Sequence, residues 1–230
     1  MKKQLSVISC RLSVKKILFC IVSFLVFLFP IPCPLSPASH ASTVDEVVGR
    51  IQKIYGEMKE VQGKFSQTSY IKDLDKIERY EGEFFMKKPS SMRWNFSKPR
   101  DEEVIIKEND IWIYKKSEKQ ALKSAFNKDA YNHVPIALLN SFGDLKNNFD
   151  IKLIKDDTLE LTPKRRMGFI NKLLLEINST DFPVKTFSVF DLYGNKINIT
   201  IKNVKINSGL EDSIFTFKLQ PGVEVFDLNQ

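Results

Sequence analysis

Residues 82–96, GEFFMKKPSSMRWNF, alternate apolar and polar positions on both sides of a Pro-Ser-Ser corner. Met92, Trp94 and Phe96 fall on one face, Arg93 and Asn95 on the other. That period of two predicts a half-buried strand. Upstream, Gly82, Phe84, Met86 and Lys88 share a face while Phe85 points the opposite way. Pro89 fixes φ and cannot donate to a ladder, which suits a hairpin corner. The expected unit is a hairpin with one face of large, soft apolar side chains and a lysine at its rim.

The same patterning organises the rest of the chain. Val44, Val47, Val48, Ile51, Ile54, Tyr55 and Met58 follow helical spacing behind Thr43 and Glu46, a capping-box pair, so an amphipathic helix is expected to end near Glu60. From Val61 onward the reading is strands, at 77–88, 91–97, 103–107, 111–114, 120–124, 149–154, 159–162, 171–177, 184–191, 196–206, 215–217 and 223–226. Gly63 marks a bulge or a close approach. Pro135-Ile136-Ala137-Leu138-Leu139 interrupts the strands as a short helix with Gly143 at its end. Hairpin-length connections imply an antiparallel sheet. The expected fold is therefore mainly β (α+β): a strongly curved, incomplete antiparallel barrel, capped by the N-terminal helix and by a short inserted helical lid.

The first 41 residues change the compositional picture. Lys2, Lys3, Arg11, Lys15 and Lys16 precede the apolar run 17–29, and prolines and Ser39-His40-Ala41 follow. The run is too short for an ordinary transmembrane helix and has the order of a cleavable signal peptide, residues 1–41, with cleavage after Ala41; an uncleaved anchor is the alternative. Removal takes all three cysteines, so disulfide and thiol chemistry leave with it. It also takes five of the 35 basic residues and none of the 28 acidic ones, which leaves a net charge of +2 and little support for a nucleic-acid partner. Residues 42–230 then form one domain, long enough for a real core.

Candidate chemistry is sparse. His133 is the only histidine after cleavage, with no serine or cysteine constellation beside it. Asp73/Asp75 and Asp156/Asp157 sit in turn-like contexts where Asp is expected. Lys164-Arg165-Arg166 reads as a solvated loop, with contact to anionic lipid or a transporter as the alternative. No enzyme activity, cofactor or metal is expected. Taken alone, the alternating apolar face of residues 84–96 is equally what any sheet core shows.

An ordered set of short motifs separates these readings. Phe65-x-Gln67, Gly82, Lys88-Pro89, Arg93-Trp94, Pro99, residues 109–114, Pro135 with Leu138-Leu139, Leu159-x-Leu161-x-Pro163, Asp191-x-x-Gly194, Asn207, Phe215-x-Phe217 and Pro221-Gly222-Val223 run in one order over essentially the whole chain after residue 41. In this it resembles the LolA family of periplasmic lipoprotein carriers. The resemblance implies an apolar cavity and a soluble, monomeric periplasmic carrier without cofactor. Such a carrier takes lipoproteins from an inner-membrane ABC transporter to an outer-membrane acceptor. It implies a lipid-binding set of Phe65, Phe84, Met86, Met92, Trp94, Phe96, Ile136 and Leu139. Lys88 stands where the family has a functional arginine and is expected to gate the lid through hydrogen bonds to the helix around Ile136. The alternative on the same fold is a lipid-binding or envelope-sensing module that handles a free lipid.

Overall fold

Thr43 opens the first helix, α1 (Val44–Glu57), through a closed capping box: its hydroxyl accepts from the Glu46 amide at 3.3 Å, and its own amide donates to the Glu46 carboxylate at 2.8 Å. In this computed structural model, residues 43–97, 99–126, 142–178 and 182–229 are described. Val47, Val48 and Ile51 make the buried stripe of α1.

Among the described residues, twelve strands follow in one curved, open sheet. They are β1 (Glu60–Ile71), β2 (Lys76–Lys87), β3 (Ser91–Phe96), β4 (Glu102–Lys107), β5 (Asp110–Lys115) and β6 (Gln120–Ala125), then β7 (Phe149–Lys155), β8 (Thr158–Pro163), β9 (Ile170–Ile177), β10 (Val184–Asp191), β11 (Lys196–Ile206) and β12 (Glu224–Asp227). The spatial order is β12-β6-β5-β4-β3-β2-β1-β11-β10-β9-β8-β7. Two antiparallel meanders, β1 to β6 and β7 to β11, are thus joined where β11 returns to pair with β1. Strands β7 and β12 form the two edges.

The alternation seen in the sequence becomes a division between faces. Phe84, Met86, Met92, Trp94, Phe96, Val104, Ile106 and Ile111 point to the concave side and are buried. Leu159, Leu161, Leu173, Leu175, Phe187, Ile199 and Ile201 continue the same core across the other meander. Helix α1 covers this interior, together with Phe142 in a 3-10 turn (Phe142–Asp144) and Leu145 in a one-turn helix, α2 (Leu145–Asn148).

The predicted strand positions hold, with shifts of a residue or two at the ends. Gly63 marks the bulge, since the β1–β11 register shifts between Gln62 and Lys64. Two expectations need correction, and one element was not foreseen. Residues 215–217 are no strand; they follow a 3-10 turn (Asp212–Phe215) that lies against the convex side of β3 and β4. Strand β12 pairs with β6 in parallel, because the chain crosses that convex side before reaching the edge. Helix α2 precedes β7 and carried no sequence signal, being a single turn. The predicted helix at 135–139, with Ile136 and Leu139, lies outside the described residues.

Candidate functional site

Two glycines shape the floor of the concave side. Gly63 pairs with Phe84 and Gly82 with Phe65 across the β1–β2 ladder. Without side chains there, each ring folds down onto the glycine opposite. A Cβ on Gly82 would meet the Phe65 ring at 2.7 Å and the Asn95 carbonyl oxygen at 1.9 Å; one on Gly63 would meet the Phe84 ring at 2.8 Å. Trp94 then stacks on the flattened Phe65, with centroids 4.2 Å apart, and Phe84 lies 5.5 Å from Trp94. Phe96 meets Phe65 edge-on at 5.3 Å. Such arrangements favour aromatic pairs beyond their buried area.

The structure therefore brings together six of the eight predicted lipid-contact residues: Phe65, Phe84, Met86, Met92, Trp94 and Phe96. All are buried, none more than 7% exposed. They pack against one another and against the other apolar residues of the same core.

One polar group interrupts this interior. Gln67, two residues beyond Phe65 on the same face, is 6% exposed. Its amide nitrogen donates to Ser69 Oγ at 3.0 Å, while Oε1 has no hydrogen-bond partner among the described residues. Leaving a buried acceptor unsatisfied costs about 1–3 kcal/mol.

Lys88 sits at the opposite end of β2, at the rim of the sheet. Its ammonium donates to the Tyr55 carbonyl oxygen near the end of α1 and lies 3.9 Å from the centroid of the Tyr55 ring. Burial holds its pKa below the usual lysine range, and burial likewise raises the Tyr55 phenol. The partner shown here is thus α1; the helix around Ile136, expected to receive Lys88, lies outside the described residues. The sequence places Tyr55 in the helical stripe but not beside Lys88, since nothing in a helical stripe announces which rim residue its last carbonyls will meet.

Further ties hold α1 in place. Asn207, in left-handed conformation, accepts from the Lys59 amide at 2.8 Å and the Glu60 amide at 3.3 Å, and donates to the Glu57 carbonyl at 3.4 Å. Gln52 donates to the Gly143 carbonyl at 3.2 Å, and Asp45 pairs with Lys146 at 2.9 Å. Among the described residues, α1 is held over the sheet by apolar contact and by these rim bonds. No group of three or more metal-binding side chains converges among the described residues.

A curved, open antiparallel sheet wrapped around an apolar interior under a helical cover defines a class of small enclosing β-proteins. Residues 56–218 match the model of the family described as "Outer membrane lipoprotein carrier protein LolA", and the chain belongs to that family. Among its relatives, the outer-membrane lipoprotein carrier protein of Yersinia enterocolitica is 28% identical over 201 residues, 86% of this chain and 96% of that one. The protein of the same description from Pectobacterium carotovorum is 26% identical over 197 residues, covering 85% and 93%. An uncharacterized conserved protein from Thermus thermophilus shares the fold, with a TM-score of 0.51 at 16% identity over 81% of this chain and 99% of that one.

Proposed function

We propose that this protein is a periplasmic, non-catalytic carrier that encloses the acyl chains of lipoproteins. On this reading residues 1–41 are a cleaved signal peptide and residues 42–230 the single carrier domain. The protein accepts cargo from an inner-membrane ABC transporter and delivers it to an outer-membrane acceptor, acting as a monomer. Membership of the family supports the reading. The observation that carries it in this chain is the flattened aromatic floor of Phe65, Phe84 and Trp94 on the concave side.

The physical demand on a carrier is large. Each methylene of an acyl chain taken from water is worth about 0.8 kcal/mol, so several chains cannot cross water bare. Phe65, Phe84, Met86, Met92, Trp94, Phe96, Ile136 and Leu139 supply the apolar contact. Met86 and Met92 adapt their shape at low cost, which suits mixed chains. Lys88 gates the cover: releasing the Tyr55 carbonyl frees the end of α1 from the rim. Gln67 Oε1 offers an acceptor to a donor in the head of the anchor, which would offset its unsatisfied state.

The test is recovery of the processed protein from the periplasm, with identification of its bound cargo by mass spectrometry. Lipid-modified proteins are expected. Free lipid without lipoprotein would favour the lipid-sensing module instead, and an empty interior in every preparation would contradict both readings.

A further inference from the structure

Exposed large apolar side chains are not spread evenly over the described surface. Leu74 and Ile77 stand in and beside the β1–β2 connection, Leu192 and Tyr193 in the β10–β11 turn, and Phe169 in the β8–β9 connection. Leu74, Leu192 and Tyr193 are each more than half exposed. Single exposed apolar residues need no explanation. These five are different because their three loops are stitched together. The Lys72 amide donates to Asn195 Oδ1 at 2.9 Å, and the Lys72 side chain lies against Gly194. The Leu192 amide donates to the Phe169 carbonyl at 2.9 Å, and the Phe169 and Tyr193 rings are 5.3 Å apart. One end of the sheet, its tip, thus gathers these five exposed apolar side chains on three joined loops.

Its charges are one-sided. Lys72, Arg79, Arg165, Arg166 and Lys196 border the tip, and none has a carboxylate within ion-pair distance among the described residues. The nearby acids are engaged within the loops. Asp191 accepts from the Tyr193 and Asn195 amides and from the Asn195 side chain, Asp75 accepts from Tyr70, and Glu78 pairs with Lys76; Asp73 is the exception. Exposed leucine and aromatic side chains bordered by cations without carboxylate partners, Lys196 lying over the Phe190 ring, match the two needs of a bilayer surface: apolar insertion at the headgroup boundary and attraction to anionic lipid.

We propose that this tip docks the protein on an anionic phospholipid bilayer. The tip lies at the far end of β2 from Lys88, about 35 Å along the strand, so docking leaves the Lys88–Tyr55 contact away from the lipid. The proposal stands apart from the carrier reading, since it uses none of the concave residues. The pairing of exposed apolar side chains with cations on one tip fits the headgroup boundary of an anionic bilayer, where apolar and anionic groups lie side by side.

The test is co-sedimentation of the processed protein with vesicles of phosphatidylcholine containing about 30% phosphatidylglycerol. Binding is expected at low salt and is expected to weaken about tenfold or more in high salt. Pure phosphatidylcholine vesicles should bind far less. Leu192→Ser with Tyr193→Ser should lower the affinity about tenfold, and Arg165→Glu with Arg166→Glu by at least as much. These side chains are exposed, so thermal midpoints and binding of an acyl probe to the interior should match the parent; that separates tip binding from uptake of lipid by the concave face. Equal vesicle binding by parent and variants, salt-insensitive binding, or no binding by the parent would each overturn the proposal.

Discussion

The two faces of β3 show how differently one strand holds its surroundings. On the concave side Met92, Trp94 and Phe96 meet other apolar groups, and nothing about those contacts is directional. On the convex side Arg93 is fixed by three hydrogen bonds: to Asn95 Oδ1 at 2.9 Å, to the Ile214 carbonyl at 2.9 Å and to the Glu103 carboxylate at 2.8 Å. Lys87, next door on β2, pairs with Asp212 at 2.7 Å and donates to the Leu210 carbonyl at 2.8 Å. That ion pair lowers the Asp212 pKa. Upstream, the buried Glu60 carboxylate accepts from the Gly209 and Leu210 amides, and downstream Phe217 stacks on Trp112 at 4.6 Å. Residues 209–217 are thereby strapped across the outside of the sheet. The difference teaches a division of labour. Directional bonds fix the outer strap, while the inner face is held by apolar contacts, which on the carrier reading a ligand of similar chemistry would replace.

The sharpest way to break this arrangement is to spoil the floor. Gly82→Val places side-chain carbon where the Asn95 carbonyl and the Phe65 ring already stand, and both belong to paired strands. The expected cost exceeds about 4 kcal/mol, the exceptional range for a single change. Urea unfolding measures it, and an unchanged midpoint would show that Phe65 can lift without penalty.

A milder change separates the faces. Arg93→Ala removes the strap's central bonds and leaves Glu103 with Lys116, 2.8 Å away, as its remaining partner. A loss of about 1–3 kcal/mol is expected, because the ion pair is only partly buried. Affinity for an acyl probe should stay within about twofold of the parent, since no concave residue is touched. A large loss of affinity at intact stability would mean that the faces are not independent.

The smallest effect concerns the rim. Burial depresses the Lys88 pKa in the folded state, so between that value and the unfolded 10.5 the unfolded chain binds more protons and stability rises with pH. Lys88→Met should lose this rise. Tyr55 works the other way above pH 10.0, its unfolded value, because its folded pKa is raised; the comparison therefore belongs below that pH. Urea midpoints near neutrality and at about pH 9.5 should show the parent gaining modestly on the variant. Parallel pH profiles would show that Lys88 is hydrated and not held against Tyr55.

Strand positions and the inward face were legible because a period of two is a local signal. Met92, Trp94 and Phe96 could be assigned to one side without knowing any partner. Gly82 was legible as a motif, but its purpose was not: the ring of Phe65 reaches it from another strand. The strap was misread because Phe215-Thr216-Phe217 alternates as a strand does, while its two rings serve different contacts. Phe215 is buried, and Phe217 covers Trp112. Lys88 was correctly placed at the rim, yet its bond to Tyr55 joins residues 33 apart in sequence, and no local pattern encodes such a pairing. Glu60 reads as an ordinary surface acid beside the helix end until the strap covers it.

The central claim is that the concave face receives an acyl chain, and Trp94 is placed to report it. With Trp112→Phe, which keeps an aromatic ring for Phe217 to stack on, Trp94 becomes the remaining tryptophan of the chain. Titration with a fatty acid brominated along its chain should then quench Trp94 fluorescence saturably, and unlabelled fatty acid should reverse it. Binding of the fatty acid without quenching, or no binding at all, would contradict the account, because the rings of Phe65, Phe84 and Trp94 would then be a permanent core and not a surface kept for a ligand.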